Sequence, residues 1–177
     1  MRQSPVATRA ASYSDTMSIM ARVDSIERYV AADSQRLRVF ASVPDDPRLV
    51  QVKDSTDWPE ATEASINVVM DASGRPLLHR EMPTSESGDW LKVISHYFDP
   101  EGRTILYDLE ISGFGSECTS ILRETKRVFL SPTGNTIAEL RSFADEDGKA
   151  IKPDGCFLRS DNAASPKRAA SELRFPK

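Results

Sequence analysis

The sequence predicts an α+β fold, an antiparallel β-meander of about six to eight strands backed by one N-terminal amphipathic helix. Three observations carry this reading. A turn pattern recurs four times, as Asp71-Ala72-Ser73-Gly74-Arg75, Asp99-Pro100-Glu101-Gly102-Arg103, Ser131-Pro132-Thr133-Gly134-Asn135 and Asp145-Glu146-Asp147-Gly148-Lys149. β-prone runs flank these turns. A single apolar stripe, Ile19, Val23, Ile26 and Val30, repeats at helical spacing near the start.

Residues 1–13 are small, polar and basic, and read as a disordered lead. From Ser14 or Asp15, either a good N-cap, the helix runs to about Ala31, and its lone apolar stripe requires a sheet to cover. Acidic Asp24 and Glu27 offset Arg22 and Arg28 on its polar face, which favours packing on the sheet over lying on a membrane surface. Short strands are expected at 36–43 and 49–52, around Pro44-Asp45-Asp46-Pro47, followed by a loop at 54–63. The main strands are expected at 64–70, 77–82, 89–98, 104–111, 119–130 and 136–144, with a short edge at 150–152. Pro76 and Pro153 suit strand starts or edges. From 159 the chain is rich in Ala, Ser, Asn, Lys and Arg and reads as a disordered tail, leaving one α+β domain at 14–158.

Asp99, Pro100 and Gly102 suit the first, second and fourth positions of a type I turn closed by a left-handed glycine. Regular alternation outward from that turn pairs Phe98 with Thr104, Tyr97 with Ile105, Ser95 with Tyr107, Val93 with Leu109 and Leu91 with Ile111. The opposite side then carries Lys92 across from Glu110, Ile94 across from Asp108, and His96 across from Leu106 with Asp108 on its diagonal. In the third hairpin the same counting sets Phe129 opposite Ile137 and Arg127 opposite Glu139. This hairpin grammar is similar to that common in bacterial β-meander and secreted lipoprotein-like domains, a resemblance confined to the sheet region that transfers no residues.

A net charge of −4 and an isoelectric point near 5.3 give no electrostatic reason to bind nucleic acid or anionic membrane. No run approaches the length of a membrane span and residues 1–16 lack a signal-peptide core, so the expected location is cytoplasmic by default, or exported if the start lies downstream of a leader. Cys118 and Cys156 form no metal spacing with the two histidines and read as unpaired thiols, or as a disulfide in an exported chain. The chain has no P-loop, no dinucleotide-binding glycine motif, no nucleophile elbow and no zinc-protease helix motif. No metal or cofactor is expected. Asp145-Glu146-Asp147-Gly148 departs from a calcium loop, because Phe143 and Asp154 stand where acidic ligands belong.

Three functional readings follow. The outward side of the central hairpin would expose Trp90, Ile94, Phe98 and Leu106, beside a Ser112–Ser116 loop carrying Phe114 between glycines. That points to a non-enzymatic interaction module for a protein partner. A curved sheet would alternatively enclose a cavity for an apolar small molecule or lipid. A third, weaker reading is a small hydrolase or isomerase using His96 as acid/base oriented by Asp108. His79 is expected out of reach of His96, so no two-histidine metal site is expected.

Overall fold

The computed structural model describes residues 13–114, 119–152 and 165–176. Helix α1 spans Thr16–Ala31 and is capped by Asp15, whose carboxylate accepts the Ser18 amide at 2.8 Å. The strands are β1 Leu37–Ser42, β2 Val50–Val52, β3 Ala64–Met70, β4 Pro76–Pro83, β5 Trp90–Phe98, β6 Thr104–Phe114, β7 Ile121–Leu130 and β8 Thr136–Ala144. They form one sheet in the order β2-β1-β3-β4-β5-β6-β7-β8, with every neighbouring pair antiparallel. This is the α+β meander that the turns and the stripe imply. The edge expected at 150–152 amounts to a bridge between Ala144 and Ala150. Of the disordered lead, residues 1–12 lie outside the described residues, while Tyr13 is buried beside the helix.

The turns form as their composition dictates. Asp99 Oδ1 accepts the amides of Glu101 and Arg103, Oδ2 accepts Arg103 Nε at 2.7 Å, and Gly102 closes the turn at φ +78°. Asp71 repeats this pattern with Ser73 and Arg75, and Asp145 repeats the backbone part with Asp147 and Lys149. The Asp145 carboxylate is thus spent on turn amides.

Beyond the first cross-strand pair the register departs from simple alternation. Phe98 faces Thr104 as expected, but Tyr97 faces Leu106, not Ile105. The same slip separates Met70–Pro76 from Val69–Leu78, and Leu130–Thr136 from Phe129–Ala138. In each hairpin one extra residue, Leu77, Ile105 or Ile137, is inserted three positions after the turn glycine, the geometry of a β-bulge. The physical reason lies in the pairs that follow the turns: Leu77-Leu78, Ile105-Leu106 and Ile137-Ala138 all pack into the cluster formed with Ile19, Val23 and Ile26 of α1. Without the extra residue, one member of each pair would turn away from the helix.

The shift reassigns both faces. The helix face carries Val69, Leu78, Tyr97, Leu106 and Phe129 near the turns. The other face carries Phe40, Ile66, Val68, His79, Ile94, His96, Phe98, Tyr107, Leu109 and Val128, all buried. The expected pairs Ser95–Tyr107, Val93–Leu109, Leu91–Ile111, Lys92–Glu110, Ile94–Asp108, His96–Leu106, Phe129–Ile137 and Arg127–Glu139 are each displaced by one residue. Glu139 instead binds Lys126, and Arg127 binds Asp108.

Where composition suggests a disordered tail, residues 165–176 lie across that second face. The Thr104 amide donates to Arg168 O and the Ala170 amide to Gly102 O, both at 2.9 Å, while Phe175 packs on His79 and Phe98. We call this segment the strap. The helix, the sheet and the strap therefore make three layers.

If the bulge exists to bury two consecutive residues, Ile105→Ala and Leu106→Ala should each cost about 2–5 kcal/mol in chemical denaturation. A near-neutral result for either substitution would mean that its side chain is not held under α1.

Candidate functional site

The five residues nominated for recognition separate into two groups. Ile94, Phe98 and Leu106 are buried, Leu106 under α1 and Phe98 beside Phe175, so they present no surface. Trp90 and Phe114 remain 38% and 59% exposed. The expected flexible loop is largely strand: Ser112, Gly113 and Phe114 end β6, pairing with Leu91, Trp90 and Ile121 among others, and 115–118 lie outside the described residues.

These residues gather at the end of the sheet that α1 does not reach. A helix of 16 residues is roughly 24 Å long, and its buried side chains contact the turn-proximal ends of the strands. Beyond it the helix face is an open trough of about 570 Å³, lined by Leu91, Val93, Ile121 and Thr125 with Glu110 and Arg123 among the polar groups. Leu91 is 56% exposed and Leu140, on β8, 57%. On the other side of the strand end, Trp90 sits opposite Gly113, which has no side chain to cover it. Leu91 escaped the sequence reading because simple alternation assigned it to the core.

The proposed acid/base pair does not assemble. Asp108 is the cross-strand partner of Ser95 and binds Arg127 at 3.2 Å on the helix face, while His96 pairs with Tyr107 on the strap face. The bulge at Ile105 moves each β6 residue one place and so puts the carboxylate on the wrong side of the sheet. Burial raises the Asp108 pKa, which the Arg127 charge partly offsets. Also on the helix face, Tyr97 donates to Glu27 of α1 at 2.6 Å, and Arg80 donates to Glu27, Tyr97 and Ser95. Burial, then the Glu27 bond, push the Tyr97 phenol well above its usual range. These contacts fasten the helix to the sheet.

His79, expected to be remote, is instead the direct cross-strand neighbour of His96, with ring centroids 6.4 Å apart. Both rings are buried against the strap. His79 Nε2 lies 3.1 Å from Arg174 O, which requires it to carry the proton and donate. His96 Nε2 accepts the Lys167 amide at 3.2 Å, which requires the opposite tautomer. Burial holds both imidazoles at about 4, with the neighbouring His79 and then the Lys167 charge adding to the effect at His96. The described residues contain no cluster of three or more His, Cys, Asp or Glu side chains suited to a metal, and Cys118 and Cys156 lie outside them. Among the described residues no helix is long and apolar enough to cross a membrane.

No protein-family model, no curated protein and no solved structure matches the chain. Its functional reading therefore rests on its own geometry.

Because the sheet separates the two groups, Asp108→Asn should leave the His96 titration near 4 when followed by NMR of the ring carbons. A displacement of about one pH unit or more would instead place them in one network.

Proposed function

We propose that this protein is a non-enzymatic interaction module that receives an apolar surface of a protein partner on the uncovered end of its sheet. The observation that supports this is the concentration of Leu91 and Phe114, both exposed, on the helix-side face of β5 and β6 with Ile121 of β7 beside them, and of exposed Trp90 on the opposite side of the same strand end, all four lining one shallow depression. Scattered exposed apolar residues are ordinary, whereas large ones adjoining in one patch on a rigid sheet characterise binding surfaces. Trp90 and Phe114 are also residue types that dominate interface energetics when a partner buries them.

The alternative of carrying an apolar small molecule receives less support. The helix packs directly on the sheet, with Ile19 and Ile26 fully buried, and the trough beyond it is open. A carrier should nevertheless arrive with ligand in native mass spectrometry of freshly purified protein.

The Leu91→Ser/Phe114→Ser double variant should keep its stability within about 1 kcal/mol, since both side chains are exposed, and should lose partner recovery. A photo-crosslinking residue at position 114 should give partner adducts that the same residue at Met17, exposed on the helix, does not. Equal adducts from both positions, or undiminished recovery by the double variant, would remove this surface from consideration.

A further inference from the structure

We propose that the strap, residues 165–176, is an acid-released cover held over the second sheet face by the His79–His96 pair. The proposal concerns a face and a segment separate from the uncovered end of the sheet and does not rest on the interaction reading.

Three features define the device. First, among the described residues the strap's attachments include two backbone bonds at Thr104 and Ala170, the two histidine contacts, and the Phe175 ring, which packs on His79, Phe98 and the Phe40–Ile66–Val68 cluster. Second, the histidine contacts are to strap backbone, at Lys167 and Arg174, so they serve the segment's path and not one side chain. Third, the two contacts respond differently to a proton. A protonated His79 can still donate to Arg174 O. A protonated His96 has no lone pair left for the Lys167 amide, and two N–H donors then confront each other.

The charges around the pair oppose a second proton. The strap brings Lys167, Arg168 and Arg174, with Glu172 engaged by the Arg168 amide. From the sheet, β6 presents the Tyr107 phenol, pushed up to about 12 by burial, β4 presents Glu81 two residues beyond His79, and β3 presents Val68. Arg38 of β1 lies across from Val68 and adds a further cation on that face. Histidinium formation beneath the strap therefore puts positive charge under a positive segment.

The direction in pH follows. Both histidines titrate near 4 when covered, below their ordinary 6.5, so protons are taken up preferentially by the released form. Docking is complete above about 6.5 and weakens as pH falls toward about 4, by up to roughly tenfold per pH unit for each histidine. Release uncovers Phe98, Phe40 and the two imidazoles while leaving the helix layer intact.

The test uses the full chain. Hydrogen-exchange protection factors should fall at the amides of Thr104, Lys167 and Ala170 between pH 7 and 4.5, while those of mid-strand β5 and β6 amides persist. The histidine ring signals should titrate over the same interval. The H79Q/H96Q variant, whose amide side chains can keep a donor and an acceptor without titrating, should stay docked throughout. Should that variant fail to fold, Phe175→Ala provides the reciprocal measurement: loosening the strap should raise both histidine titrations toward 6.5. Strap and sheet amides losing protection together, a strap that stays protected at pH 4.5, or a Phe175→Ala chain whose histidines remain near 4, would each overturn the proposal.

Discussion

The arrangement depends on a geometric constraint: two consecutive apolar residues after a tight turn must both face the same helix. An extended strand cannot satisfy that, because successive side chains point to opposite sides. Inserting one residue opposite a single partner satisfies it, and the sheet does so three times, at Leu77, Ile105 and Ile137. The three insertions fall at the same distance from their glycines and all lie under α1. From there β4, β6 and β8 continue with their sides exchanged, which moves Tyr107 and Leu109 away from the helix and, together with Val128 of β7, gives the second face its own apolar lining. A sheet with two apolar faces needs two covers. Helix α1 supplies one, and residues 165–176 supply part of the other.

The turns, the meander order and the helix were legible because each follows from local chemistry. Asp99, Pro100 and Gly102 determine their bend without reference to anything distant, and the stripe of Ile19, Val23 and Ile26 follows from helical spacing alone. The register was legible only as far as Phe98–Thr104, since counting by twos assumes a regular ladder. A signal was present in the recurrence of Leu77-Leu78, Ile105-Leu106 and Ile137-Ala138 at one offset from each turn glycine. Adjacent apolar residues at a repeated position mark an interrupted alternation.

The candidate site was less legible for the same reason. His96 and Asp108 looked like a pair only in the uninterrupted register, and the neighbouring His79 looked remote because the β4–β5 register has no turn of the repeated type to fix it. Trp90 and Phe114 are exposed as expected because strand ends beyond the helix stay exposed in either register, whereas Ile94, Phe98 and Leu106 are buried. The strap was hidden by composition. In a stretch of small and basic residues, the one feature that specified docking was the aromatic ring of Phe175, and its seat includes His79 of β4 and Phe98 of β5, 96 and 77 residues earlier in the chain.

The placement of α1 also bears on how the chain reaches its final state. Strands in this meander join neighbours that are close in sequence, which permits growth hairpin by hairpin with short closures. The helix and the strap are exceptions, and for the helix Ile19 and Ile26 find Ile105 and Leu106 only after some eighty residues of intervening chain have been ordered. Its greasy stripe must therefore wait for the central strands, and during that interval it is the segment most in need of shielding by a chaperone or by transient collapse.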